Sequence, residues 1–319
     1  MKLGILTVPF SGMPLEKALD YLAPLGVEAV ELGTGGYTNP AHCDVRALIQ
    51  HPEKARELRA LVEGHGMTIA ALSCHANPVH PDPDIARQAH QVYTDTLQAA
   101  QLLGVDTVVC FSGCPGGAPG DTSPNWITCA WPTEFGRMLD YQWNECLLPY
   151  WTRAAEMARA AGVKIAIEMH PGFSVYSPDT LLRLRAGAGD VIGANFDPSH
   201  LFWQGMDGPA AIRRLGPAIH YVHAKDCRIE EKTKASGALD TTPYDRLGDR
   251  AWSFCTVGYG HGADTWKHML AQLRLAGYDG TVSIEHEDAL LSVNEGVEKA
   301  VAFLKDLIPR QAPCAAWWT

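Results

Sequence analysis

Short apolar runs rich in β-branched residues alternate with longer amphipathic stretches eight times along this chain. Each run has five or six residues, as expected for a parallel strand buried on both faces. Repeated strand–helix units join parallel strands through crossover helices. The pattern therefore predicts an α/β fold. The predicted strands are Lys2–Leu6, Val27–Leu32, Thr68–Ser73, Thr107–Ser112, Lys164–Glu168, Val191–Phe196, Ile219–His223 and Thr281–Glu285.

Helical periodicity fills the intervals between these runs, and several of the helical stretches end at a glycine, a common helix stop. A shorter helix should begin near Pro178, with Ser177 as its N-cap. The longer predicted helices are Leu15–Leu25, Glu53–His65, Ile85–Leu103, Tyr141–Ala161, Ala263–Ala276 and Val293–Leu307.

The first strand decides between the two folds that this pattern allows. An open doubly wound sheet usually carries a glycine-rich phosphate loop there, whereas this strand runs into Thr7-Val8-Pro9-Phe10. We therefore predict a closed (β/α)₈ TIM barrel, a single domain over residues 1–311. Long loops should follow strand four (Gly113–Asp140) and strand seven (Cys227–Gly262). The apolar tail, residues 312–319, should pack on the barrel or on a neighbouring molecule.

Charge and composition exclude several classes of partner. The formal net charge is −10 and there is no basic patch, which argues against nucleic acid. The chain has no run of about 18 apolar residues, so no membrane span is predicted. The nine cysteines are scattered without a Cys-x-x-Cys pair, and the N-terminus does not resemble a signal peptide, so we expect a cytoplasmic protein with reduced thiols.

The last four predicted strands all end in a potential metal ligand. These residues are Glu168, Asp197, His223 and Glu285. Catalytic residues of a TIM barrel lie at the carboxyl ends of its strands, so the four should meet at one rim. Three adjacent carboxylates repel one another, and a divalent cation removes that cost. Oxygen ligands with one imidazole suit Mn²⁺, Mg²⁺ or Co²⁺, and Zn²⁺ is possible.

Four motifs around these ligands resemble those of the xylose isomerase-like TIM barrels. Within that group they are most similar to the sugar phosphate isomerase/epimerase family, which includes the ketose 3-epimerases. The motifs occur in the expected order over nearly the whole chain. They read Ile167-Glu-Met-His-Pro171, Asn195-Phe-Asp-Pro-Ser-His200, Val222-His-Ala-Lys-Asp226 and Ser283-Ile-Glu-His-Glu287.

The resemblance implies a role for several of these positions. Glu168 and Glu285 match the two glutamates that bind metal and exchange a proton with the substrate carbon. Asp197 and His223 match the remaining ligands, and His200 matches a histidine that hydrogen-bonds a substrate oxygen. The implied activity is divalent-metal-dependent isomerisation or epimerisation of a sugar through an enediolate, with one metal ion, Mn²⁺ being the first choice.

One departure from the epimerases leaves other reactions open. They carry an arginine six residues beyond the ligand histidine, whereas Ile229 stands there and Arg228 lies one short. The same site could serve a lyase or hydratase acting on an oxidised sugar, such as a 3-keto-glycoside. A non-catalytic sugar-binding barrel is a further alternative. A repair nuclease is disfavoured by charge and by Phe111-Ser112-Gly113, which lacks a histidine after strand four.

Six further residues are predicted to contact a small carbohydrate substrate because they lie at strand ends or in the adjoining loops. Aromatic faces there can cover the apolar side of a sugar ring. The resemblance also allows a homo-oligomer, for which the apolar tail is the only hint in the sequence. The six residues are Glu31, His75, Lys225, Arg228, Trp126 and Trp203.

Overall fold

The computed structural model describes residues 1–318 and contains the predicted closed barrel. Eight parallel strands follow the order β1-β10-β7-β6-β5-β4-β3-β2 around it. The strands are β1 (Lys2–Leu6), β2 (Ala29–Gly33), β3 (Thr68–Ser73), β4 (Thr107–Phe111), β5 (Lys164–Glu168), β6 (Ile192–Phe196), β7 (Ile219–Ala224) and β10 (Thr281–Ile284). The prediction of a single (β/α)₈ TIM barrel is therefore confirmed.

Helices surround the barrel and bury their apolar faces against it. The helix from Pro83 to Leu103 illustrates the local signals. Asp82 caps its first backbone N–H groups, and Gly104 ends it with a φ of 68°, where a side chain would be strained. The α-helices are α1 (Leu15–Leu25), α2 (Val45–Gln50), α3 (Pro52–Gly64), α4 (Pro83–Leu103), α5 (Glu134–Tyr141), α6 (Leu148–Ala161), α7 (Pro178–Ala188), α8 (Pro198–Phe202), α9 (Gly208–Leu215), α10 (Lys232–Ser236), α11 (Ala263–Leu275) and α12 (Val293–Lys305).

Four short helices, α2, α8, α9 and α10, lie where none was predicted, and one predicted helix is preceded by an additional one. The α2 and α9 helices are short, but each has an aspartate N-cap: Asp44 accepts from Ala47 N, and Asp207 accepts from Ala210 N. The helix predicted from Tyr141 is preceded by α5, and a π-helical segment, Gln142–Leu147, joins α5 to α6. The loop after β4 is therefore shorter than predicted.

The polar segment after β7 is not a simple loop. Strand β8 (Asp226–Ile229) pairs antiparallel with β9 (Trp252–Cys255), and Ile229 lies opposite Trp252. Asp240 fastens the residues between them, because its carboxylate accepts from Ala251 N at 2.6 Å and Thr242 N at 3.0 Å. We call residues 226–261 the insertion. Its two strands fix where its aromatic residues lie relative to the barrel.

The C-terminal tail is exposed as far as the structure describes it. The side chains of Trp317 and Trp318 are 83% and 69% exposed. These rings face solvent in the single chain rather than packing on the barrel. Thr319, the last residue of the predicted tail, lies outside the described residues. Among residues 1–318, no helix is both long and apolar enough to cross a membrane.

Candidate metal centre

Four potential ligands meet at the carboxyl end of the barrel. Glu168 is the last residue of β5, Asp197 follows β6 directly, His223 is the penultimate residue of β7, and Glu285 follows β10 directly. Because parallel strands end at one rim, these four strand ends bring the side chains together. One ligand atom from each residue lies within 4.8 Å of the others.

This cluster is almost completely withdrawn from water. The side chains of Asp197 and His223 are fully buried and that of Glu168 is 2% exposed, while Glu285 at 15% marks the open side. Nδ1 of His223 lies 2.9 Å from Glu285 and 3.2 Å from Glu168. Two carboxylates thus converge on one imidazole nitrogen.

Asp197 shows that the cluster fits a cation. Its Oδ1 accepts from the backbone N–H of Ser199 at 2.8 Å. Its buried Oδ2 accepts no hydrogen bond from residues 1–318, although Nε2 of His200 lies 3.3 Å away. Burial, reinforced by the neighbouring carboxylates, raises the pKa of Asp197 to about 6. A divalent ion would supply the missing partner of this oxygen and stabilise the charged carboxylate.

Glu31 holds the His223 ring in place through its second nitrogen, Nε2. Both oxygens of this buried carboxylate lie within 3.0 Å of Nε2 of His223. The hydroxyls of Ser73 and Ser283 also donate to Glu31. The carboxylate therefore fixes the ring and directs Nδ1 toward Glu168 and Glu285, as supporting carboxylates do for metal-binding histidines.

Three imidazole rings and one amide surround Glu168. Burial opposes its ionisation, but contacts with His200, His223 and His75 hold its pKa well below the ordinary value. Nε2 of His75 and of His200 each lie 3.2 Å from the carboxylate, and Nδ2 of Asn195 donates to it at 2.9 Å. Glu168 is therefore kept as a carboxylate.

Lys225 is a buried cation at the open side of the cluster. Its Nζ lies 3.3 Å from Glu285 and 2.8 Å from Glu287. Burial opposes the ionisation of Glu285, yet the charge of Lys225 lowers the pKa of that carboxyl. His170 behaves differently, because burial, reinforced by its electrostatic interaction with His200, lowers its pKa to about 3 and keeps it neutral.

The structure brings some of the predicted substrate contacts to the cluster and places others elsewhere. His75 and Lys225 touch ligand residues, whereas Glu31 lies beneath His223 with both oxygens engaged. Arg228 pairs with Glu230 at 2.7 Å on the insertion. Trp203 is buried in a stack on Trp252, with ring centres 4.7 Å apart. Trp126 packs edge-on against Tyr176.

Two residues at the site were missed by sequence reasoning. Asn195 lies in β6, two positions before Asp197 at the end of that strand, so the two-residue period of a strand predicts the same face for both and could have revealed it. Phe254 belongs to β9, and its ring centre lies 5.4 Å from that of His200. No local signal pointed to Phe254, since only the folding of the insertion brings it there.

Comparison with known proteins assigns the family. The model of the xylose isomerase-like TIM barrel family matches residues 19–307, most of the chain. The chain belongs to this family. Of its relatives, the uncharacterized protein YfiH of Bacillus subtilis (strain 168) is 41% identical over 313 residues, which cover 97% of this chain and 99% of YfiH.

Other proteins similar to this chain differ in the reactions that their names state. The D-psicose 3-epimerase of Ruminiclostridium cellulolyticum is 22% identical over 250 residues, 76% of this chain and 74% of the epimerase. The crystal structure of the probable 3-DHS dehydratase AsbF of Bacillus anthracis superposes with a TM-score of 0.65 at 14% identity, covering 96% of this chain and 99% of that protein. The latter likeness shows the shared fold. Proteins similar to this chain in sequence or fold thus include an epimerase and a probable dehydratase.

Proposed function

We propose that this chain is a divalent-metal-dependent isomerase or epimerase of a sugar or related polyol. One observation carries the proposal: Glu168 and Glu285, on strands separated by β6 and β7, converge on Nδ1 of His223. Two carboxylates that reach one point from different sides can serve the two faces of a bound carbon atom. The proposed ligands of the single ion are Glu168, Asp197, His223 and Glu285.

The proposed reaction begins with proton removal next to a carbonyl. A divalent ion bound here would polarise the substrate oxygens and so acidify the adjacent C–H bond. One glutamate accepts the proton, and the electron pair of the C–H bond delocalises into the carbonyl to give an enediolate. For epimerisation the other glutamate returns a proton to the opposite face of the same carbon. For isomerisation the proton goes to the former carbonyl carbon, and the hydroxyl proton moves to the former carbonyl oxygen. His200 donates a hydrogen bond to a substrate oxygen.

We propose Mn²⁺ as the preferred ion, one of several that this ligand set suits. Three carboxylates and one imidazole form a mostly oxygen-rich set, which suits Mn²⁺, Mg²⁺ or Co²⁺ and also admits Zn²⁺. Burial of the set favours a single ion held tightly, because unpaired buried carboxylates are costly.

A second candidate is a dehydratase or lyase acting on an oxidised sugar, and Lys225 favours it. The same base would remove the proton next to the carbonyl, and the C–O bond at the next carbon would then break. The leaving oxygen needs a proton, and the Lys225 ammonium is a donor 3.3 Å from Glu285. The likeness to a probable dehydratase supports this candidate as much as the likeness to an epimerase supports the first one.

The two reactions are separated by one NMR experiment. Metal-loaded protein is incubated in D₂O with a panel of ketoses, inososes and 3-keto-glycosides. Deuterium gain at one carbon without fragmentation supports isomerisation or epimerisation, whereas loss of water or of an aglycone supports the lyase. No metal-dependent exchange or elimination with any substrate would reject both and leave a non-catalytic sugar-binding barrel.

We also propose that the protein acts in the cytoplasm on a small carbohydrate and does not bind nucleic acid. All nine cysteines are free, which suits a reducing compartment. Assembly into a homo-oligomer stays a prediction, to be tested by light scattering of the full chain and of a chain ending at residue 311.

A further inference from the structure

A cavity beside the metal centre is lined by aromatic and aliphatic side chains together with two histidines and two acidic residues, and by no amide side chain. Its volume is about 620 Å³, within the size range of sites for drug-sized ligands. Part of its wall comes from the insertion and part from the segment after β10. The lining residues are Pro9, His170, Tyr244, Leu247, Phe254, His286, Glu287, Asp288, Ala289 and Val293.

This cavity lies next to Lys225 and His200, two residues that contact the proposed ligands. Phe254 lies under the ammonium of Lys225, whose Nζ is 4.4 Å from the ring centre, and its edge faces His200. His170, which also lines the cavity, has its ring centre 4.0 Å from that of His200. Glu287 pairs with Lys225 at 2.8 Å. A molecule bound at the cluster can therefore extend past these residues into the cavity.

Tyr244 provides the outer part of the insertion wall. Its ring lies nearly parallel to that of Phe254, with 13° between the planes and 6.2 Å between the centres. The guanidinium of buried Arg250 lies over the Tyr244 ring, 3.9 Å from its centre, and restrains it. Even so, Tyr244 is 57% exposed. An aromatic ring that is restrained and still largely exposed is suited to stack against a flat ligand.

A second group of aromatic rings continues from His170. The ring of Phe111 lies 4.8 Å from that of His170 and stacks on Phe173 at 4.3 Å. Tyr37, 66% exposed, packs against both phenylalanines. Clustered apolar surface rimmed by polar groups typically marks a binding site. Aromatic rings thus lie on two sides of the approach to the polar cluster.

We propose that the substrate carries an aromatic aglycone, so that its sugar part binds at the metal centre while its aryl ring stacks on Tyr244 of the insertion. A free ketose would leave the Tyr244 face exposed to water, whereas an aryl glycoside would cover it. This inference rests on the proposed function and names its substrate class.

The test compares glycosides that differ only in the aglycone. Isothermal titration calorimetry with Mn²⁺-loaded protein measures the affinities of 4-nitrophenyl and methyl glycosides of glucose, galactose and mannose and of their 3-keto forms. We expect at least one 4-nitrophenyl glycoside to bind about 10-fold more tightly than its methyl counterpart, from one stacked ring and its buried area. Equal affinities in every pair, or no binding of any aryl glycoside, would overturn the inference.

Variants of two tyrosines locate the effect. Tyr244→Ala should abolish the preference for the aryl glycoside, and Tyr244→Phe should keep it. Tyr259→Ala is the matched control, because Tyr259 is 50% exposed on the same insertion and is not part of the cavity wall. A preference that survives Tyr244→Ala in metal-loaded protein also overturns the inference. Failure of the proposed function can be told apart from failure of this inference. It appears in the NMR experiment as the absence of both proton exchange and elimination, whether or not aryl glycosides bind more tightly.

Discussion

Nε2 of His223 lies 2.9 Å from Oε2 of Glu31, a carboxylate from the second strand that has no exposed surface. Replacing Glu31 with glutamine removes the charge that orients the imidazole. Loss of such a supporting carboxylate typically weakens metal binding by about 10- to 100-fold, so we expect the Mn²⁺ dissociation constant of Glu31→Gln to rise by that factor. Calorimetry measures this dissociation constant. The control is Glu57→Gln, the same substitution at an exposed glutamate. An unchanged constant in folded protein would show that Glu31 does not support the site.

Metal stoichiometry tests the ligand set itself. We expect one divalent ion per chain after chelation and reconstitution, and loss of that ion in Asp197→Ala. The ion should also stabilise the fold, by about 4 kcal/mol when its concentration is 1,000 times the dissociation constant. Elemental analysis and thermal melts with and without chelator measure both effects. Asp179→Ala, which changes an exposed carboxylate paired with Arg214, should bind metal normally. Equal metal content in Asp197→Ala would contradict the proposed site.

Glu168 and Glu285 should differ in their kinetic roles on a single substrate. A glutamine keeps the shape and one oxygen ligand but cannot accept the proton. In the Gln variant of the glutamate that acts as the base, the rate of deuterium exchange should fall by about 10²- to 10⁴-fold. The Gln variant of the other glutamate should still exchange deuterium but should not complete turnover. Metal content is measured first in each variant, because both residues are proposed ligands. Near-normal exchange and turnover in both metal-loaded variants would reject the two-glutamate mechanism.

The insertion should influence substrate binding without holding the metal. Backbone N–H of Glu230 bonds to the carbonyl of Ala251, so an Asn-Gly turn replacing residues 231–250 can close β8 onto β9. We expect this variant to keep its metal but to show a changed KM or substrate preference, because it lacks part of the cavity wall. Truncation after residue 311, in the exposed tail, serves as the control. Unchanged kinetics on every accepted substrate would make the insertion irrelevant to the pocket.

Periodicity and strand-end chemistry made much of this architecture predictable. Buried parallel strands read as short apolar runs wherever they occur, and a ligand at the end of such a run must lie at the active rim. Glu168, Asp197, His223 and Glu285 were identified in this way. Short helices such as α9 were missed because two turns give little periodicity, although the Asp207 cap and the adjacent Pro209 were present in the sequence.

The sequence by itself determined the eight-stranded α/β barrel and the four residues that meet at its mouth, because both follow from local periodicity and from the direction of parallel strands. Only the tertiary structure decided what each neighbouring group contacts. Glu31 was expected to contact substrate at the barrel mouth, whereas its buried carboxylate contacts Nε2 of His223. The direction of a side chain on a strand depends on register and barrel closure, which the sequence does not show. Phe254 and Tyr244 reach the cavity because β8 and β9 pair across 22 intervening residues (230–251). Contacts between segments so distant in sequence leave no local pattern, so only the folded chain reveals them.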